Sequence, residues 1–332
     1  MDIKQIINEF HSLENTTHKD NTYNVISLFD LPHKLGASKE HYPMFFIDTN
    51  DAQNNIPNTI RELLSVEYDI ECAINELNIN YLLKNLTIIT LRSDDKYLQS
   101  YFIEIFAMML IKMPHRPTKQ ELSIEVERLV TIFSALTSTP RKKIQGLWAE
   151  LLVIEKSLDP YTLLNAWHSI PFSKYDFTLG RDKIEVKSTS SEERVHRFSL
   201  DQLNPSPNSR LLIASITVRE SGQSINGLSV RDLYDRICNR LSNIEAKIRL
   251  YTIIAQTLAN DIDKIDSVFF DYVTASDTLA YYDYQTIPRI LKKDVPPSIS
   301  DVKFVCNITK LKDIMTSTFF DKSNSQLFDS LF

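Results

Sequence analysis

Glycine is scarce in this chain, with five among 332 residues: Gly36, Gly146, Gly180, Gly222 and Gly227. None stands in a GxxxxGK or GxGxxG frame, the spacing that lets backbone N–H groups converge on a phosphate. A nucleoside-triphosphate motor or a dinucleotide enzyme is thereby excluded, and any ATP use belongs to another subunit. Cysteine is also rare. Cys72, Cys238 and Cys306 are isolated and odd in number, which argues against a disulfide framework or a zinc ribbon. The seven histidines include no HxxxH pair, and His168 beside Trp167 offers no ligand spacing. Long apolar runs are missing as well. The greasiest stretch, "YFIEIFAMMLIKM", carries Glu104 and Lys112 and is too short and too charged to span a bilayer. The start "MDIKQIINEF" has no apolar signal core, so the expectation is a cytoplasmic protein with no membrane partner. Excess positive charge is lacking too. At net −6 the chain is no generic polycation, and any DNA binding must rest on a local stripe of Lys and Arg.

What is present is an ordinary globular composition, 43% hydrophobic and 24% charged, on a chain long enough for two domains. Up to residue 135 the pattern is α+β. "YNVISLF", "YPMFFID" and "NLTIITLRS" read as strands, "YLQSYFIEIFAMMLIKM" as a buried helix, and "TKQELSIEVERLVTIFSAL" as an amphipathic helix with a Thr118–Glu121 capping box. Residues 136–223 form a second block. Thr139-Pro140 signals a helix start, and "RKKIQGLWAELLVIEKSL" places Ile144, Leu147, Leu151, Ile154 and Leu158 on one face with Glu150 at its edge. "SRLLIASITVRE" is a more buried strand. Residues 224–332 form a C-terminal region of helix and strand packing on that core. Tyr234, Ile237, Leu241, Ile244, Ile248 and Tyr251 recur at steps of three and four from Val230 to Leu258, a pattern that packs on its own domain or forms a dimer seam. "TLAYYDYQTIP" and "ISDVKFVCNIT" are late strands, and "TFFDKSNSQLF" docks or frays.

The chemistry concentrates in "KYDFTLGRDKIEVKSTSS", Lys174 to Ser191. Read as a hairpin turning at Gly180-Arg181, it sets Leu179 against Asp182 and Asp176 against Glu185, with Cβ atoms about 4.5–5.5 Å apart. A three-residue loop would instead oppose Asp176 to Val186. Two carboxylates about 4 Å apart repel by about 1 kcal/mol in water and about 4 kcal/mol at an effective dielectric of 20. A cation between them relieves that. Asp176, Glu185 and the backbone carbonyl of Val186 are an all-oxygen set suited to Mg²⁺. Lys187 shares the face of Glu185, where an ammonium stabilises a hydroxide nucleophile or the charge developing on a phosphorane. Glu150 can serve a second metal or orient a water. The plain alternative is a solvated strand face with a Glu185–Lys187 ion pair. Against it stand the aspartate across a glycine turn, the preceding Glu150 helix, and nearby basic residues: Arg141, Lys142, Lys143, Arg181, Lys183, Arg194, His196, Arg197 and Arg210. Of these, Lys142, Lys143, Arg181, Lys183, Arg194 and Arg197 are the candidate nucleic-acid contacts.

"GLWAELLVIE", "YDF", "IEVKST" and "FSLDQL" together resemble the motifs of the PD-(D/E)XK nuclease superfamily. They are most similar to a bacterial family encoded beside methyltransferases, ATPases and helicases in restriction-like defence loci. The resemblance implies an α/β (α+β) restriction-endonuclease-like core, a mixed central sheet flanked by helices, that cuts DNA with Mg²⁺ (Mn²⁺ substituting) and leaves a 5′-phosphate. Carried over, Asp176 and Glu185 are metal ligands, Lys187 the catalytic lysine, Glu150 the helix glutamate and Gln202 the polar residue that some members carry after the lysine. Tyr175 departs from the pattern, standing where the motif name has proline. The implied partners are DNA and the products of neighbouring genes.

Weaker constellations are His196, Ser199 and Asp201, which lack an oxyanion hole and read as turn caps, and Glu155, a salt-bridge partner. Tyr281, Tyr282 and Tyr284 are either base-stacking rings or core. Two readings outside catalysis remain: a degenerate nuclease fold that binds DNA or scaffolds a defence complex, and an adaptor built on the long helix.

Overall fold

The computed structural model describes residues 3–13, 22–50, 56–60, 63–76, 79–135, 144–168, 173–314 and 324–332. The chain divides into two compact units, residues 1–138 and 139–332.

The first unit contains α1 (Ile3–Ser12), β1 (Thr22–Ser27), β2 (Lys34–Ala37), β3 (Pro43–Ile47), β4 (Thr59–Ile60), β5 (Leu64–Glu76), β6 (Ile79–Leu91), α2 (Lys96–Lys112) and α3 (Lys119–Ala135). The strand order β1-β2-β3-β6-β5 returns to β1 through a parallel pairing of Thr22–Val25 with Ala73–Glu76, so the sheet closes on itself. Leu64, Val66, Tyr68, Cys72 and Ile74 alternate inward along β5, a period-two pattern present in the sequence. The closure removes the exposed edges that such long strands would otherwise present. Helix α2 starts at Asp95, whose carboxylate accepts from the N–H groups of Tyr97 and Leu98, and stops before Pro114. The capping box at α3 forms as expected: Thr118 N–H donates to Glu121 and Glu121 N–H donates to the Thr118 hydroxyl, at 2.8 and 3.2 Å.

The second unit carries α4 (Ile144–Lys156), α5 (Pro160–Ala166), β7 (Phe177–Leu179), β8 (Asp182–Thr189), β9 (Val195–Ser199), β10 (Arg210–Thr217), β11 (Gly227–Leu228), α6 (Val230–Arg240), α7 (Ile244–Leu258), β12 (Phe270–Asp271), α8 (Tyr272–Thr278), β13 (Ala280–Asp283), β14 (Lys303–Asn307) and α9 (Gln326–Asp329). Its core is a mixed four-stranded sheet ordered β13-β10-β8-β7. The central strands β8 and β10 are parallel, and both edges are antiparallel. Helix α4 packs against β8. Phe198, Leu211, Ile213, Tyr282 and Cys306 form a second apolar cluster that brings the β9–β14 ribbon onto the sheet. This is the mixed α/β, restriction-endonuclease-like architecture.

Several sequence expectations are corrected here. Helix α4 is not amphipathic: residues 147–154 are all buried, while Leu158 is 66% exposed. Thr139-Pro140 and Arg141, Lys142 and Lys143 lie outside the described residues. The long pattern from Val230, which the sequence leaves room to break once, does so: it is two helices, ending at Leu241 and restarted by Asn243, whose side chain accepts from the Glu245 N–H. Tyr234, Ile237, Leu241, Ile248 and Tyr251 are buried within their own unit, the first of the two packings the pattern allows, and Ile244 is half-buried. Of "TFFDKSNSQLF", residues 318–323 lie outside the described residues, and the end docks, with Ser325, Leu327 and Phe328 fully buried.

Candidate active site

The hairpin holds the site together. Leu179 opposes Asp182 and Phe177 opposes Ile184, the register of a two-residue turn at Gly180-Arg181. Gly180 supplies the positive φ, +57°, that such a turn needs at its first central position. The turn end is pinned by Asp182. Its carboxylate accepts Nε and Nη2 of Arg210 at 2.6 and 2.8 Å and the Ser325 hydroxyl at 2.7 Å. Burial pushes the Asp182 carboxyl up, but the Arg210 and Ser325 hydrogen bonds and the Arg210 and Arg181 charges outweigh it and leave the carboxyl below its ordinary range. Arg210, one of the basic residues near the motif, is therefore a structural clamp joining β8 to β10.

Asp176 lies just before β7, where the ladder with β8 has ended. Its Oδ2 accepts the N–H of Val186 at 2.8 Å, so the carboxylate takes the place of a strand partner. In a β-strand the N–H and C=O of one residue leave on the same side. The Val186 carbonyl is thus directed toward the edge that Asp176 occupies. Glu185 and Lys187 flank Val186 and point to the face shared with Ile213 and Ser215 of β10. Lys187 Nζ is 2.8 Å from Glu185 Oε1 and donates to Gln202 Oε1 at 3.2 Å. Gln202 Nε2 donates in turn to Glu185 Oε1 at 2.5 Å. The ammonium also lies 5.3 Å from the centre of the Phe198 ring.

Glu150 reaches the same end of the sheet from α4 and is 2% exposed. Trp167 Nε1–H donates to its Oε2 at 2.8 Å, and His168 Nε2 lies 3.1 Å from the same oxygen. The His168 main-chain N–H donates to the Asp176 carbonyl at 2.9 Å, which fastens the chain after α5 to the segment before β7. One ligand-capable atom each from Glu150, His168 and Asp176 lies within 4.8 Å of the others. Glu185 is not part of that group of three. His168, discounted from sequence for want of ligand spacing, therefore belongs beside the carboxylates. Two buried carboxylates and an imidazole at this separation are a donor set that fits a divalent cation.

Tyr175, at the proline position of the motif name, has a structural task. Its hydroxyl donates to the carbonyls of Asp201 and Gln202 at 3.4 and 3.3 Å, tying the Asp176 segment to the turn that presents Gln202. Burial, then the negative charges of Glu185 and Asp201 and the Tyr284 hydroxyl, hold the Tyr175 hydroxyl well above its usual range, so it stays a donor. Behind Lys187, buried His196 makes a 2.8 Å contact with the Ser215 hydroxyl. Burial and the charges of Lys187 and Arg194 push His196 down to about 4, so it stays neutral at pH 7. The stretch His196, Ser199 and Asp201 forms no triad: Ser199 accepts the Gln202 N–H through its hydroxyl, and Asp201 pairs with Lys292. Glu155 does pair with Arg236, at 3.5 Å.

Among the candidate nucleic-acid contacts, Arg194 is corrected. Its guanidinium donates to the Ser215 carbonyl and hydroxyl and to the Thr278 carbonyl, and it sits over Tyr282, a staple between β10 and the end of α8. Arg181 and Arg197 are exposed. Lys183 Nζ donates to the Gly180 carbonyl, and burial, then Lys174, pushes its ammonium down against the opposing pull of Asp182. Lys142 and Lys143 lie outside the described residues.

The family model described as "Putative PD-(D/E)XK family member, (DUF4420)" matches residues 6–309. The chain belongs to this family. The match spans both compact units, so the closed-sheet unit is as much a part of the family as the hairpin unit. No curated protein and no solved structure matches the chain. Members of the PD-(D/E)XK superfamily typically use divalent metals, and the Glu150, His168 and Asp176 group is where this family member has the donors for one. No described helix is long and apolar enough to cross a membrane.

Proposed function

We propose that the protein is a divalent-metal-dependent endodeoxyribonuclease, using Mg²⁺ with Mn²⁺ able to substitute, that hydrolyses DNA phosphodiesters. The observation that carries this reading is the meeting of Asp176 with two sets of groups at one sheet edge. It bonds to the strand segment bearing Glu185 and Lys187, and it lies within reach of Glu150 and His168. Glu150, His168 and Asp176, with Glu185 and the Val186 carbonyl beside them, would hold the cation. When bound, a divalent cation supplies Lewis-acid charge to the phosphate and lowers the pKa of water. Lys187 contributes a fixed positive charge against the negative charge that builds up at phosphorus. Gln202 holds the Lys187 ammonium and the Glu185 carboxylate in one arrangement. Trp167 fixes the Glu150 carboxylate, so its lone pairs are oriented before substrate arrives.

The test is incubation of plasmid and linear DNA with purified protein in Mg²⁺, in Mn²⁺ and in EDTA. The reading predicts cleavage with either metal, 5′-phosphate ends, and none in EDTA. The imidazole of His168 adds a sharper expectation, because nitrogen donors favour transition metals over Mg²⁺. Calorimetric titration should show Mn²⁺ binding at least about 10-fold tighter than Mg²⁺, and His168→Ala should remove most of that preference. Equal affinities for the two ions in the wild type would remove His168 from the ligand set.

One observation favours a second reading. Lys187 is bonded to both Glu185 and Gln202, as it would be in a nuclease fold kept only for binding DNA or scaffolding a defence complex. Tight DNA binding with no cutting in either metal would support that reading. DNA is the substrate in the first case and the ligand in the second. ATPase, helicase or methyltransferase partners and a defence role rest on the resemblance alone.

A further inference from the structure

Beside the candidate active site is a cavity of about 420 Å³ whose lining includes Lys174, Leu203, Pro205, Tyr284, Arg289 and Lys292. Chain continuity fixes where it lies. Lys174 is two residues before Asp176, and Leu203 directly follows Gln202. Its shape is set in advance by Asn204, whose amide donates to the carbonyls of Leu200 and Ile290 at 2.8 and 2.9 Å while its carbonyl accepts the Lys292 N–H at 3.3 Å. Those bonds tie the loop after β9 to residues 290–292. Arg289 is likewise placed: Nη1 donates to the carbonyls of Tyr284 and Gln285, and the guanidinium lies 5.1 Å from the Tyr284 ring centre.

The lining has two chemistries. One side carries Pro205 and the half-buried Tyr284 ring with the Arg289 guanidinium beside it. The rim carries Lys174, Arg289 and Lys292, and the carboxylate near them is Asp201, exposed and 2.5 Å from Lys292. Exposed pairs of that kind hold weakly and yield to a better anion. Burial, then the charge of Lys292, pushes the Lys174 ammonium below its ordinary value, with Asp201 acting the other way. Two ammonium groups and a guanidinium around one hollow favour an anionic ligand, and the Tyr284 ring with Arg289 beside it offers a base a partner.

We propose that this cavity is a nucleotide subsite, holding the nucleotide of the DNA strand next to the scissile phosphate. Lys174 and Lys292 grip its phosphate, and the base lies against Arg289, Tyr284 and Pro205. The volume is within the range of pockets that enclose small organic ligands. This rests on the nuclease reading for its strand and direction. It gives Tyr284 the base-stacking role that the sequence left open, whereas Tyr281 and Tyr282 are buried.

The experiment is fluorescence anisotropy with a labelled single-stranded oligonucleotide in EDTA, where no turnover occurs. The double variant Lys174→Gln/Lys292→Gln should bind at least about 10-fold more weakly, with a salt dependence shallower by one to two phosphate contacts. Lys264→Gln, on the surface, should bind as the wild type does. An abasic oligonucleotide of the same length should bind the wild type about 10-fold more weakly than the intact strand. Unchanged affinity in the double variant overturns the subsite, whether or not the protein cuts DNA. Equal affinity for abasic and intact strands overturns the nucleotide assignment. Binding that depends on the pocket without any cleavage would instead count against the nuclease reading and leave the subsite standing.

Discussion

Lys187→Ala should leave the fold intact and lower DNA cleavage at least about 100-fold, the scale set by removing one fixed charge that faces transition-state charge. The side chain is 18% exposed and its partners are Glu185 and Gln202, both at the same site. The loss should fall on kcat, because an interaction realised at the transition state does not strengthen substrate binding. Lys187→Arg should not rescue it. The broader planar guanidinium cannot occupy the place of a compact ammonium between the carboxylate and the amide. Circular dichroism of both variants should match the wild type. Wild-type cleavage by Lys187→Ala would defeat the mechanism.

The second large effect is on stability. Arg210→Ala should destabilise the second unit by about 3 kcal/mol, because it strands the Asp182 carboxylate in a buried position without its bidentate partner. The Asp182 side chain is 8% exposed and that of Arg210 is 16% exposed. Urea denaturation at pH 7 gives the measurement. The pH dependence has a definite sign. A carboxyl whose folded pKa lies below its unfolded value contributes stability above the unfolded value and loses it as pH falls through the folded one. Asp182 is such a group. The gap between wild type and Arg210→Ala should therefore be full at neutral pH and narrow below about pH 4. Because Asp182 closes the hairpin that carries Glu185 and Lys187, cleavage should fall along with stability.

These two residues illustrate what the sequence makes legible. The hairpin could be read because a glycine turn and strict alternation leave few registers, and Leu179 does oppose Asp182; the expected Asp176–Glu185 pair lies beyond the end of the ladder, where the Asp176 carboxylate accepts the Val186 N–H instead. The capping box of α3 was readable for the same reason: its partners are three residues apart. Features that depend on distant contacts were not. Arg194 and Arg210 count as positive charge in a linear reading, yet one is consumed by carbonyls of β10 and of the end of α8 and the other by Asp182. Nothing local distinguishes a buried arginine from one facing solvent. His168 lies 18 residues beyond Glu150, past a short helix, and only the packing of α5 brings it back. The apolar stripe of α4 is legible as Ile144, Leu147, Leu151 and Ile154 with Glu150 at its edge, but not the burial of every residue from 147 to 154. Glu150 is nonetheless buried, bonded to the Trp167 indole. The stripe along α6 and α7 was fairly read as helical, but its role depended on whether the same chain covers it, and it does. In the first unit the alternation along β5 was there to be read, but no local pattern reports that β5 pairs with β1.

The proposed divalent cation sits among Asp176, Glu150 and His168, at the edge where β8 presents Glu185 and the Val186 carbonyl. Crystals soaked in Mn²⁺ and measured at the manganese absorption edge test that claim most directly. The prediction is an anomalous peak about 2.1–2.3 Å from an Asp176 carboxylate oxygen and from at least one of Glu150, His168 and Glu185, lost in Asp176→Asn. A well-ordered soaked crystal with no peak there, or a peak that Asp176→Asn leaves unchanged, contradicts it.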